Sequence, residues 1–193
     1  MLSELPISKQ YYSLPSEDIT DSILIPGLEK SNKLDIMTGW FSRRAIGELA
    51  QGFSYFLKHT SGNIRIITCP QLLPKDQDAI DLGSKTSKEV LEEIFSEFID
   101  NIYDRTTLEK HSLKCMAYLI ANSRLEIKLA YMLEKNSLFH KKINILSNDS
   151  ETLVITGSTN FTPSGLRSNE ENAIILHLVL LLFMSKRVNK VLQ

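Results

Sequence analysis

The stretch FHKKINILSNDSETLVITGSTNFTPSGLRSNEEN, residues 139–172, organises the reading of the whole chain. Two apolar, β-branched runs, Leu138–Leu146 and Leu153–Thr156, flank the polar turn Ser147-Asn148-Asp149-Ser150, which predicts a pair of strands joined by a hairpin. Asn172–Leu176 predicts a further strand. His140 and Lys142 stand two apart on the first run, so strand alternation turns both to one face. Ser158 and Asn160 share that spacing at the end of the second run, and the hairpin carries the two pairs toward each other. Lys, Ser and Asn supply hydrogen-bond donors, and a His among them suits attack on an anionic phosphorus centre. Each residue also has a plainer reading. His140 fits a hydrogen-bonded core histidine, Lys142 a snorkelling edge residue, and Gly157-Ser158-Thr159-Asn160 an ordinary turn.

Upstream, Lys33–Thr38 reads as a strand and Gly39-Trp40-Phe41 as the turn out of it. Ser42 is the expected N-cap of a helix. Ala45, Ile46, Leu49, Ala50, Phe53, Phe56 and Leu57 then recur in steps of three and four, as one buried helical face. Ile64–Thr68 follows as a β-branched strand, completing a strand–helix–strand unit long enough for a parallel crossover. Thr20 or Asp21 is placed to cap a short helix interrupted by Pro26. The middle of the chain predicts helices over Glu89–Tyr103 and Leu108–Ala121, and Leu125–Met132 alternates like a half-buried strand. The expected architecture is α/β, a mixed β-sheet flanked by helices on both faces. Residues 1–18, polar with Pro6 and Pro15, read as an N-terminal arm, and residues 19–193 as the domain.

Composition narrows the function classes. The chain has 193 residues, 42% of them hydrophobic, which is enough for an ordinary core and excludes a wholly disordered chain. Lys+Arg 22 against Asp+Glu 23 gives a net charge of −1, so a globally basic nucleic-acid wrapper is excluded and a local basic site is not. Cys69 and Cys115 lack metal-ligand spacing, and no metal or other cofactor is expected. The apolar run Ala173–Met184 is shorter than the ~20 residues of a membrane span, so no membrane partner is expected and the cytoplasm is the expected location.

The residues quoted above resemble the phospholipase D superfamily, whose signature is H-x-K-x(4)-D followed after a strand by G-S-x-N. His140-Lys141-Lys142 and Gly157-Ser158-Thr159-Asn160 match those pieces, and Asn169-Glu170-Glu171 looks like the N-x-E that follows in many members. The sequence departs at the Asp: Ser147 stands in its place, and the nearest acid is Asp149. The resemblance implies that this Asp is mainly structural. It extends over roughly Leu34 to Leu176 and is strongest to the phospholipase D-like modules found beside bacterial helicases and restriction endonucleases.

The resemblance implies a metal-independent phosphodiesterase, an endonuclease domain acting on DNA through a phosphohistidine. His140 is then the nucleophile, Lys142, Ser158 and Asn160 hold the phosphate, and Glu171 orients the His ring. Members need two motifs around one site, and this chain holds one H-x-K, which implies a homodimer with a shared active site. A helicase or restriction domain is the implied neighbour. The alternative class is a degenerate module that binds nucleic acid or partners for such a system without cutting. Lipid headgroup hydrolysis is the weaker third reading, because no interfacial amphipathic segment rich in Lys and Arg is found. Lys141, Arg43, Arg44 and Arg167 are the candidate substrate-binding cations. Arg43 and Arg44 equally fit an exposed helix start, and Trp40 and Phe41 fit either base stacking or core packing.

Overall fold

The computed structural model describes residues 1–69, 115–130, 132 and 137–179. Seven strands form one mixed sheet: β1 (Tyr11–Leu14), β2 (Lys33–Thr38), β3 (Asn63–Thr68), β4 (Leu125–Leu129), β5 (Lys142–Ser147), β6 (Glu151–Gly157) and β7 (Glu171–Val179), in the order β1-β7-β6-β5-β2-β3-β4. β2, β3 and β4 are parallel, and every other pairing is antiparallel. The helices described are α1 (Ile25–Glu29), α2 (Arg44–Glu48), α3 (Ala50–His59), helical residues 115–121 and a short α-helix at Pro163–Arg167. A π-helical turn at Thr20–Leu24 leads into α1.

Strand alternation sets the core. Leu34 and Ile36 lie in register with Ile64 and Ile66 on one side, and Leu34 with Leu146 on the other. Leu153, Ile155, Ala173 and Ile175 continue the same face. Those residues join Leu28, Phe53, Phe56, Met116 and Leu119 in a single buried cluster, and each such Leu, Ile, Met or Phe side chain contributes roughly 1.5–3 kcal/mol. The opposite face carries the Asp35–Arg65 ion pair and the half-exposed Ile174, Leu176 and Leu178. The helix expected over Glu89–Tyr103, and the part of Leu108–Ala121 before residue 115, lie outside the described residues.

Three local expectations change. The single helix expected after Ser42 is two, because Leu49 leaves helical geometry (φ −105°, ψ 19°) while its side chain stays in the core. The apolar periodicity therefore runs on across a break that it does not reveal. Arg43, already in helical geometry, stands between Ser42 and the first residue of α2, yet Ser42 Oγ still accepts from Arg44 N at 3.4 Å as a cap does, and Ser42 N donates to Phe161 O at 3.0 Å.

Nor are residues 1–18 a detached arm. β1 pairs with β7, and Leu2, Leu5, Tyr12 and Leu14 are buried in the core. The buried Glu151 carboxylate accepts from Leu2 N and, at 3.3 Å, from Ser3 N, with His177 Nε2 3.7 Å away. Those hydrogen bonds hold the Glu151 carboxyl below its usual range. His177 thus sits part-buried beside this N-terminal anchor. Among the described residues no helix is long and apolar enough to cross a membrane.

Candidate active site

The parallel run of β2 and β3 and the antiparallel run of β5, β6 and β7 bring five strand ends to one rim. Thr38 closes β2 opposite Lys142, which opens β5, and Gly157 closes β6 opposite Ala173 near the start of β7. Ligands of α/β sheets gather outside the carboxyl ends of parallel strands, and this is that rim.

The β2–α2 turn and the Ser158–Phe161 loop meet there and are stitched together. Thr38 Oγ1 donates to Trp40 O at 2.7 Å and accepts from Phe161 N at 3.0 Å. Asn160 Oδ1 accepts from Trp40 N at 3.0 Å. Phe41 and Phe161 form a parallel bridge, and their rings stack at 6.1 Å. With its Oδ1 held this way, Asn160 keeps both Nδ2 donors for a ligand.

His140 lies before β5 rather than on it, exposed over Gly39. A Cβ added at Gly39 would stand 2.9 Å from His140 Cδ2 and 3.4 Å from Asn160 Oδ1. The bare glycine is therefore what lets the imidazole and the amide flank one corner. Lys142 is buried, and its Nζ donates to His140 O at 3.2 Å. Burial holds its ammonium below the ordinary lysine value, and the nearby Glu171 charge offsets part of that shift.

Ser158 N donates to Asn172 O at 3.1 Å, and Ser158 Oγ accepts from Asn172 N at 2.9 Å, which leaves the hydroxyl proton free to donate. The glycine before it is required by space, since a Cβ at Gly157 would fall 2.0 Å from Asn172 O. Glu171 Oε1 accepts from Asn169 Nδ2 at 3.2 Å. The Glu171–His140 hydrogen bond that the resemblance implies is not made among the described residues; Glu171 is bonded to Asn169, and its charge acts on Lys142.

The remaining candidates divide. Lys141 and Arg44 are exposed, whereas Arg43 is buried at the head of α2. Arg167 is not available to a substrate. Its guanidinium bonds Glu48 at 3.1 Å, Asp21 at 2.8 Å and Asp18 at 3.2 Å, strapping the chain before α1 to α2. Ser147, at the position of the missing Asp, ends β5 at the opposite edge, about 17 Å of strand from Lys142. Asp149 accepts from Asn32 Nδ2 at 2.9 Å at that same far edge. Among the described residues no three His, Cys, Asp or Glu side chains gather where a metal ion could be held.

Thr38 escaped the sequence reading. Its signal was a hydroxyl closing the inward series Leu34, Ile36, Thr38. Thr38→Val keeps the shape and leaves the buried Phe161 N–H unpaired, at a cost of about 1–3 kcal/mol. A lowered melting midpoint, together with reduced turnover as Asn160 loses its setting, is the expected result. Unchanged stability would mean that the stitch carries no load.

Residues 24–179 match the family model described as cardiolipin synthase, phospholipase D-like domain. No curated protein matches the chain by sequence. Among solved structures it is similar to NucT from Helicobacter pylori, 16% identical over 86% of this chain and 82% of that one, with a TM-score of 0.49. It is also similar to the phospholipase D family member Nuc from Salmonella typhimurium, at 17% identity, 89% and 81% coverage and a TM-score of 0.46. Yeast tyrosyl-DNA phosphodiesterase shares the fold with a TM-score of 0.51 at 12% identity, over 88% of this chain and 32% of that larger one. Because the family match runs from the turn before α1 to the end of β7 and so takes in the whole rim, the chain belongs to the phospholipase D-like domain family.

Proposed function

We propose that the protein is a phosphodiesterase that cleaves DNA at this rim, working as a two-fold dimer in which each subunit supplies one His140. The observation that carries this reading is the Gly39 corner, where an exposed imidazole and an oriented amide lie within a side chain's breadth of each other. Lys142 and Ser158 complete a set of donors facing one anion. In the reaction, His140 attacks phosphorus in line, and its P–N bond forms as the bond to the leaving oxygen breaks. The partner subunit's His140 gives its proton to that oxygen. It then takes a proton from water, whose oxygen displaces the first His140 and restores both rings. Lys142, Ser158 and Asn160 hold the non-bridging oxygens and stabilise charge as it builds on them, the role a cation has in other phosphoryl transfers. Lys141 and Arg44 guide the backbone of the strand, and a helicase or restriction domain is the neighbour that would deliver it.

The test offers plasmid DNA, a single-stranded oligonucleotide and phosphatidylcholine vesicles to the wild-type protein and to His140→Ala. Cleavage of DNA by the wild type alone supports the reading. Binding of DNA with no cleavage would replace it with a degenerate binding module. Hydrolysis of the lipid in place of DNA would overturn the substrate while leaving the residues in their roles.

A further inference from the structure

Resting on the nuclease reading above, we infer that Trp40 is a stacking platform for an unpaired base beside the phosphate, so that single-stranded DNA is the form this site takes. Two consecutive aromatics leave β2 and do opposite things. Phe41 is 3% exposed and stacks on Phe161, whereas Trp40, the chain's single tryptophan, is 47% exposed. A loose loop does not account for that exposure. Trp40 N is held by Asn160 Oδ1 and Trp40 O by Thr38 Oγ1, so site side chains fix both polar groups of its backbone. The indole is thus presented to solvent from a rigid root 3.0 Å from the amide assigned to the phosphate, one residue beyond the glycine under His140.

An aromatic face of this kind accepts any base, because every base has a π-face, but the base must first leave its duplex neighbours. The exposed cations nearby, Lys141 and Arg44, suit the backbone of such a strand. Stacking and phosphate contact then make separable contributions: the cations set the salt dependence, and the indole adds affinity that salt does not screen.

The single tryptophan makes the test direct. His140→Ala protein, which binds without cutting, is titrated with a single-stranded oligonucleotide, its duplex and an abasic oligonucleotide of the same length, while indole fluorescence is followed. The single strand is expected to quench the indole at lower concentration than the duplex, and the abasic strand to leave it unquenched. With binding followed by the anisotropy of an end-labelled oligonucleotide, since these variants lack an indole, adding Trp40→Ala is expected to weaken single-strand binding about 10-fold with an unchanged salt slope, and Trp40→Phe to restore most of the loss. Lys141→Ala instead makes the slope shallower by about one unit. Equal quenching by all three DNAs, or an unchanged single-strand Kd in Trp40→Ala with its melting midpoint intact, would overturn the platform and leave the nuclease reading standing. Binding of none of the DNAs, with quenching by phosphatidylcholine vesicles, would overturn both.

Discussion

His140→Ala is expected to lower DNA cleavage by about 10⁴–10⁶-fold, the scale on which removal of a nucleophile or its base collapses an active site. The same change is expected to leave the melting midpoint in place. His140 is exposed, precedes β5 and donates no ring hydrogen bond to any described residue, so its loss removes chemistry without removing support. Dimer mixing sharpens the prediction. If nucleophile and acid come from different subunits, a hybrid of one wild-type and one His140→Ala chain is inactive. An equimolar mixture then shows less activity than its wild-type content alone would give. Activity in strict proportion to wild-type chain, or a monomer at working concentration, would sink the shared site.

Lys142→Met is expected to reduce turnover by about 10²–10³-fold with a smaller change in DNA binding, since its contact strengthens as charge develops on the phosphate oxygens. The residue is buried on the inward face, and methionine keeps much of its volume there. Its pH behaviour has a definite sign. Burial favours the uncharged amine and lowers the Lys142 pKa, with Glu171 opposing in part. The ammonium is therefore lost on the alkaline side at a lower pH than for an ordinary lysine. Activity should fall there in the wild type, and that limb should vanish from the residual activity of Lys142→Met. A fall in KM-limited binding with kcat untouched would show that Lys142 only attracts the strand.

Much of this was legible because it is local. Lys33–Thr38 and Ile64–Thr68 alternate cleanly, and the structure pairs them in parallel as the intervening helical pattern requires. The hairpin between β5 and β6 was written in Asn148, whose Oδ1 accepts from Ser150 N at 3.0 Å and Glu151 N at 2.8 Å. What stayed hidden depends on partners remote in sequence. β1 has a Pro on its C-terminal side and polar residues before it, and becomes a strand only because β7 offers an edge. Arg167 reads as a free cation until Asp18, Asp21 and Glu48 are folded around it. The opposite fates of Trp40 and Phe41 follow from Phe161, more than a hundred residues away. At the candidate site, spacing put forward His140, Lys142, Ser158 and Asn160, although His140 precedes β5, so strand alternation does not relate it to Lys142. The two glycines and Thr38 that make room for them and hold them are intelligible only from distances.

In the proposed reaction Lys142, Ser158 and Asn160 do at the phosphate what a cation does elsewhere. Cleavage of single-stranded DNA is therefore measured with purified protein in excess EDTA, His140→Ala alongside. Undiminished cutting by the wild type and none by the variant is the predicted result, and cutting that requires added Mg²⁺ would contradict it.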